Sequence, residues 1–154
     1  MKTISIKQPW ADMIIQGRKT IEIRVWKNMP NIQYPTTIGI HTGKQTDMEA
    51  FQYFQLHPLK GLWIPDNSFA YHHGCILGTA VLAGIKTYIS HKQFTADSFY
   101  HLNPVLPVPP EDFMHVAGSG FPRVIGLVLS NVVRFDNPIP WKGELGFFEA
   151  DFDA

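Results

Sequence analysis

The chain has few charged residues, no excess of either sign and almost no cysteine. Charged side chains make up 17% of the 154 residues, and 13 basic side chains balance 13 acidic ones. A neutral chain with a pI near 7.1 lacks the broad basic surface on which general polyanion binders depend. The composition therefore leaves room only for a local basic cleft.

Cys75 is the single cysteine, so the chain cannot form an internal disulfide bond. This fits a reducing compartment. The N-terminal residues contain no apolar run of signal-peptide length. No segment approaches the roughly 20 apolar residues that a membrane-spanning helix needs. We therefore expect a cytoplasmic protein that does not bind a membrane.

The length favours one domain, and we expect residues 1–154 to form it. Folding at this size removes roughly two-thirds of the unfolded surface from water. With 45% hydrophobic residues, the chain can bury a substantial core.

Positive charge is concentrated near the start of the chain. Residues 1–27 contain six basic and two acidic side chains, although the whole chain is neutral. Within them, the spacing predicts a helix over residues 9–16, because Pro9 suits a first helical position and Gly17 can end the helix. Its buried stripe would be Trp10, Met13 and Ile14.

A strand is predicted directly after this helix, over residues 20–26. Ile21, Ile23 and Val25 alternate there with polar or aromatic residues, which is the period of a strand. Glu22 and Arg24 therefore point to the same side, and Lys19 stands at the strand entrance. As an exposed pair, Glu22 and Arg24 would contribute only ~0–1 kcal/mol.

The rest of the pattern predicts an α+β fold of five or six strands with two or three short helices. Thr46 and Glu49 form a capping box at the start of a helix over residues 46–57. Regular strand–helix alternation is missing, which argues against a doubly wound α/β sheet. We expect a mostly antiparallel β-barrel, with bends at Gly78 and Gly84. The other predicted elements are a short helix near 92–100 and strands at 3–8, 36–42, 75–87, 123–135 and 145–152.

Four separated blocks of sequence resemble the ASCH domain, a member of the PUA-like superfamily. The first contains SIKQPW followed by G-x-K-x-x-E-x-R, and the others are I-H-x-G-K, G-x-x-x-G-x-A-x-L and PIPWKGELGFF. The blocks follow one another in the order of the family. They lie at residues 5–24, 40–44, 74–82 and 138–148.

The resemblance implies a PUA-like β-barrel with a cleft beside the first helix, and RNA or a modified nucleoside as its ligand. Lysine and arginine would contact phosphate, a tryptophan would stack on a base, and Glu22 would orient lysine or read a base edge. No cofactor or metal is expected, since His72, His73 and Cys75 have no second ligand cluster. The expected binding residues are Lys19, Glu22, Arg24, Trp26, His41 and Lys44.

Two alternatives remain open from the sequence. The same cleft could be that of a metal-independent ribonuclease or an N4-acetylcytidine-type amidohydrolase, with Lys19 as base or nucleophile and Glu22 as its partner. The amidohydrolase pattern, however, has threonine where this chain has Glu22. The other alternative is a protein-interaction module that uses the proline-rich segment 104–110.

Overall fold

The computed structural model describes residues 1–115 and 119–153. These residues form one six-stranded sheet, four short α-helices and two 3-10 helices. None of the described helices has the length and apolarity to cross a membrane. In chain order the elements are β1 (Lys2–Gln8), α1 (Trp10–Ile15), β2 (Ile21–Trp26), β3 (Thr36–Thr46), α2 (Met48–Leu56), the 3-10 helix Ser68–Ala70, β4 (Cys75–Tyr88), α3 (His91–Ala96), α4 (Ser98–His101), the 3-10 helix Pro110–Met114, β5 (Arg123–Pro140) and β6 (Phe147–Glu149).

The α+β class and the six strands are confirmed, but the predicted closed barrel is wrong. The strand order is β2-β5-β4-β3-β1-β6, so β2 and β6 are two free edges of an open sheet. The sheet is also mixed, since β1 pairs in parallel with β3 while the other pairs are antiparallel. The parallel pair arises because α1 and β2 separate β1 from β3 along the chain.

A side chain spans the gap that a closed barrel would fill with backbone hydrogen bonds. The Arg24 guanidinium on β2 donates from Nη2 to the Ser5 carbonyl oxygen on β1 at 2.8 Å. Trp26 on β2 also meets Phe147 on β6 edge to face, with ring centroids 6.0 Å apart. The sheet is therefore curled, and the space between β2 and the β1–β6 side stays open.

Helix α1 is the centre of the main core. Ala11, Met13 and Ile14 are fully buried, and the helix ends where Gly17 takes a φ of +76°, as predicted. The helix packs against β1, β3, β4 and β5. Its position fixes the start of β2, and with it the polar residues that β2 carries.

Strand β3 is longer than predicted and shifts the helix cap that follows. It continues to Thr46 because Gln8 of β1 pairs with Thr46, which keeps residues 43–46 extended. The N-cap of α2 is therefore Asp47, not Thr46, and its side chain accepts a hydrogen bond from the Ala50 N–H. The longer β3 therefore places the capping residue Asp47 next to β1.

The two glycines predicted to bend the long strand β4 both lie at register shifts against β5. Their surroundings differ sharply. A Cβ atom at Gly78 would lie 2.1 Å from the Val133 carbonyl oxygen, whereas a Cβ atom at Gly84 would meet nothing within 4 Å. Only Gly78 is thus required by a close approach of two backbones.

We predict that Gly78→Ala lowers the free energy of unfolding by about 1–3 kcal/mol, because backbone must move to admit the methyl group. Gly84→Ala is the matched control in the same strand and should change the stability little. Urea unfolding followed by circular dichroism measures both. Equal stability of the two variants would contradict the close packing at Gly78.

Candidate nucleic-acid interface

Lys19 is a buried lysine at the entrance of β2, with a side chain only 1% exposed. Its ammonium group donates hydrogen bonds to the His101 carbonyl oxygen and to Asn103 Oδ1. Glu22 Oε1 lies 3.6 Å from Nζ, and the Trp10 ring centroid lies 4.6 Å away. These acceptors surround the ammonium group and hold it in one position.

Glu22 continues this polar cluster toward the open side of the sheet. Its carboxylate is also buried, and Oε2 accepts a hydrogen bond from Arg24 Nε at 3.1 Å and lies 3.0 Å from Arg24 Nη2 in an ion pair. Arg24 in turn donates to the Ser5 carbonyl oxygen. A continuous chain of charged groups thus links Lys19 to β1.

Lys19 and Glu22 point into the protein, contrary to the exposed strand face considered from the sequence. Lys19 and Glu22 are 1% and 5% exposed, while Val25 is 37% exposed. Burying a charged lysine disfavours its protonated form. Desolvation accordingly lowers the pKa of Lys19 to about 8, although the nearby Glu22 carboxylate raises it and so limits the fall.

A cleft of about 450 Å³ opens in front of this cluster, between β1, β2 and the end of β3. Trp10 forms part of its wall, and the indole N–H donates to Asp47 Oδ2 at 3.0 Å. The cleft wall combines aromatic, acidic and basic groups. Its lining residues are Ser5, Lys7, Trp10, Glu22, Ile23, Arg24, Gly43, Lys44, Gln45, Asp47, Leu145 and Gly146.

Three of the six predicted binding residues, Glu22, Arg24 and Lys44, meet in this cleft. Lys19 does not line it, because the ammonium group lies behind Glu22 and Trp10. Trp26 lines a separate cavity on the β6 side, together with Phe147.

His41 lines a third cavity, next to residues 141–145, rather than the cleft. The ring is buried, with Nδ1 3.0 Å from the Ser5 hydroxyl and Nε2 2.9 Å from the Trp141 carbonyl oxygen. Burial lowers the pKa of His41. A neutral ring suits these contacts, with Nε2–H donating to Trp141 and Nδ1 accepting from Ser5. His41 therefore connects the Ser5 side chain to the Trp141 backbone and stabilises this part of the cavity wall.

Sequence reasoning missed several cleft residues. Trp10 was expected in the core by its helical spacing; it packs on the core and also lines the cleft. Ser5 and Lys7 lie within the SIKQPW block but carried no functional signal of their own. Asp47 was not identified because the N-cap of α2 was predicted one residue earlier, at Thr46. These residues become neighbours only because β1 and β3 pair.

The segment 88–122 supports the cluster from behind. Besides the two acceptors for Lys19, it supplies the Tyr100 carbonyl oxygen, which accepts from the Thr20 N–H at 2.9 Å. His101 is buried and stacks on Phe94 with ring centroids 4.0 Å apart. Residues 116–118 of this segment lie outside the described residues.

Residues 1–115 and 119–153 were also compared with the side-chain groupings that hold metal ions in proteins. No group of three or more histidine, cysteine, aspartate or glutamate residues is placed there to hold an ion.

We predict that the stability of the wild type rises relative to Lys19→Met between pH 8 and 10.5. The pKa of Lys19 in the folded protein is about 8 against 10.5 in the unfolded chain, so the folded state releases its proton first. The gain is about 3 kcal/mol when complete, at roughly 1.4 kcal/mol per pKa unit.

Urea unfolding of both proteins across this pH range tests the prediction. The pKa values of Tyr71, Tyr88 and Cys75 are raised by burial and affect the two proteins alike. The difference between the proteins therefore isolates Lys19. Parallel stability curves would show that Lys19 titrates as in the unfolded chain.

Comparison with known proteins agrees with this architecture. No curated protein sequence matches the chain. The crystal structure of ASCH from Zymomonas mobilis matches with a TM-score of 0.53 and 16% sequence identity, over 90% of this chain and 71% of that chain. Crystal structures of two single-substitution variants of that protein match with the same TM-score and identity. The sequence model of the ASCH domain matches residues 4–103, more than half of the chain. The chain therefore belongs to the ASCH domain family.

Proposed function

We propose that the cleft binds single-stranded RNA or a modified nucleoside. The observation that carries the proposal is a nucleoside-sized cleft in which the Trp10 ring, two carboxylates and two lysines converge. The resemblance to the PUA-like superfamily points to the same ligand class. A volume of about 450 Å³ lies within the range of roughly 300–1,000 Å³ that is typical of small-ligand sites.

The base of the ligand would lie against Trp10. Aromatic side chains are sequence-tolerant stacking surfaces, because every base has a π-face. The carboxylates of Glu22 and Asp47 accept hydrogen bonds and suit donors on a base edge, such as an exocyclic amino group. Glu22 is held by Lys19 and Arg24, so its orientation is set before a ligand arrives.

Lys7 and Lys44 are the cations available to phosphate. Both lysines are exposed residues of the cleft wall, and neither forms an ion pair with another described residue. Arg24 is already bonded to Glu22 and Ser5. We therefore assign Arg24 and Lys19 to holding the wall, and Lys7 and Lys44 to contacting the ligand.

We predict that Lys44→Ala and Lys7→Ala each weaken RNA binding without loss of fold. Each lost phosphate contact should reduce the slope of log K against log salt by about 0.7 for a single strand. Fluorescence titration with a short labelled single-stranded RNA at several salt concentrations measures this slope. Lys92→Ala on α3 is the exposed control and should match the wild type. Identical slopes in all four proteins would place the phosphate contacts elsewhere.

A hydrolase in the same cleft is the second candidate, and the lowered pKa of Lys19 favours it. The contacts of Lys19 argue for a structural role instead. Its ammonium group is engaged by His101, Asn103 and Glu22, and it does not line the cleft. Binding of RNA or a modified nucleoside without hydrolysis is therefore the better-supported proposal.

We predict that the protein binds RNA and N4-acetylcytidine without converting them. Chromatography after incubation at pH 7.5 and pH 9, near and above the pKa of Lys19, should give no product above a protein-free blank. A product that Lys92→Ala still forms and Lys19→Met does not would establish the hydrolase instead.

The proline-rich segment gives weaker support for an interaction module. Val108 packs on the small core cluster of Tyr88, Phe94, Phe113 and Val124, and Pro110 begins a 3-10 helix. The segment is thus anchored to the domain, which does not suit an extended PxxP ligand.

A further inference from the structure

We propose that the gap between β2 and β6 holds a second nucleotide, so that the ligand is a single-stranded RNA of at least two nucleotides rather than a free nucleoside. The inference rests on the proposed function of the cleft. It concerns the separate cavity that Trp26 and Phe147 line, called the β2–β6 cavity below. This cavity has a volume of about 520 Å³, large enough for a base and its sugar.

The β2–β6 cavity offers an aromatic surface that the fold holds in place. Trp26 and Phe147 meet at an interplanar angle of 63°, and the Arg24 guanidinium lies 5.8 Å from the Trp26 ring centroid. Trp26 is only half-buried, so part of its ring is open to the cavity. A restrained, half-exposed indole is a good stacking surface for an unpaired base.

Charge favours the β2–β6 side over the α2 side as the exit for an RNA strand. Lys2 and Lys27 line the β2–β6 cavity and no carboxylate does, and Lys2 is already paired with Glu149 Oε1 at 3.2 Å. Lys27 forms no ion pair with any residue that the structure describes. The cavity on the other side of Trp10, beside α2, has Asp47 and Glu49 in its wall and no basic side chain. A phosphodiester is attracted to the first side and repelled from the second.

The cleft and the β2–β6 cavity are adjacent. Gly146 lines both of them. Arg24 of the cleft and Trp26 of the cavity are two residues apart on β2, a separation of about 6.6 Å along a strand. One strand of a duplex rises about 3.4 Å per nucleotide and an unstacked strand more, so bases one or two nucleotides apart reach both places.

A length series tests the inference. The affinities of a mononucleotide, a dinucleotide and a tetranucleotide RNA would be measured by calorimetry for the wild type and for Trp26→Ala, Trp26→Phe and Lys27→Ala. Lys92→Ala serves as the control with an unrelated lysine. Circular dichroism checks the fold of each variant, and the Phe variant keeps the test valid if Trp26→Ala does not fold.

We expect the tetranucleotide to bind about tenfold more tightly than the mononucleotide, the effect of one stacked base. Trp26→Ala should lose this gain and leave mononucleotide binding unchanged, whereas Trp26→Phe should keep most of it. Lys27→Ala should reduce the salt slope for the tetranucleotide by about 0.7. A duplex of the same sequence should bind more weakly, because its bases are not free to stack.

Affinity that does not depend on length, or equal binding of duplex and single strand, would overturn the inference. So would an equal loss of mononucleotide and tetranucleotide binding in Trp26→Ala. If mononucleotide binding persists and still depends on Lys44, the proposed function of the cleft stands without the second nucleotide. If no RNA of any length binds, the cleft proposal itself fails.

Discussion

The structure depends on one buried chain of charged groups, which runs from Lys19 through Glu22 and Arg24 to the Ser5 carbonyl oxygen. Taking these groups out of water is costly, and the cost is offset only while every partner is in place. These charged groups connect β2 to β1, two strands that are not paired by backbone hydrogen bonds in the sheet. The sheet can therefore curl without closing, and the unclosed side becomes the cleft.

The same arrangement separates two kinds of cation. Lys19 and Arg24 are bonded to protein acceptors and shape the wall, with the acceptors of Lys19 supplied partly by the segment after α4. Lys7, Lys27 and Lys44 form no ion pair among the described residues and remain available to an anion. A chain of zero net charge thus presents a local basic track.

Local features of the fold could be predicted from the sequence, whereas long-range ones could not. Gly17 was placed correctly because the end of a helix can be read from the nearby pattern, and the two glycines of β4 do lie at irregularities of the strand, although the close approach at Gly78 comes from β5. The length of β3 depends on its pairing with β1. The predicted barrel does not close, because the Arg24 side chain connects β2 to β1 where a pair of strands would have to form. For the site, the motif spacing brought Glu22, Arg24 and Lys44 together. It could not show that Trp26 and His41 line neighbouring cavities, or that Asp47 joins the cleft.

The most direct test of the cleft is an NMR titration of the ¹⁵N-labelled protein with a short single-stranded RNA. RNA bound in the cleft should give the largest shifts at the amide groups of residues 5–7 and 43–47 and at the Trp10 indole N–H, which reports on its hydrogen bond to Asp47. Shifts confined to the proline-rich segment 104–110, or to the acidic face of α2, would contradict it.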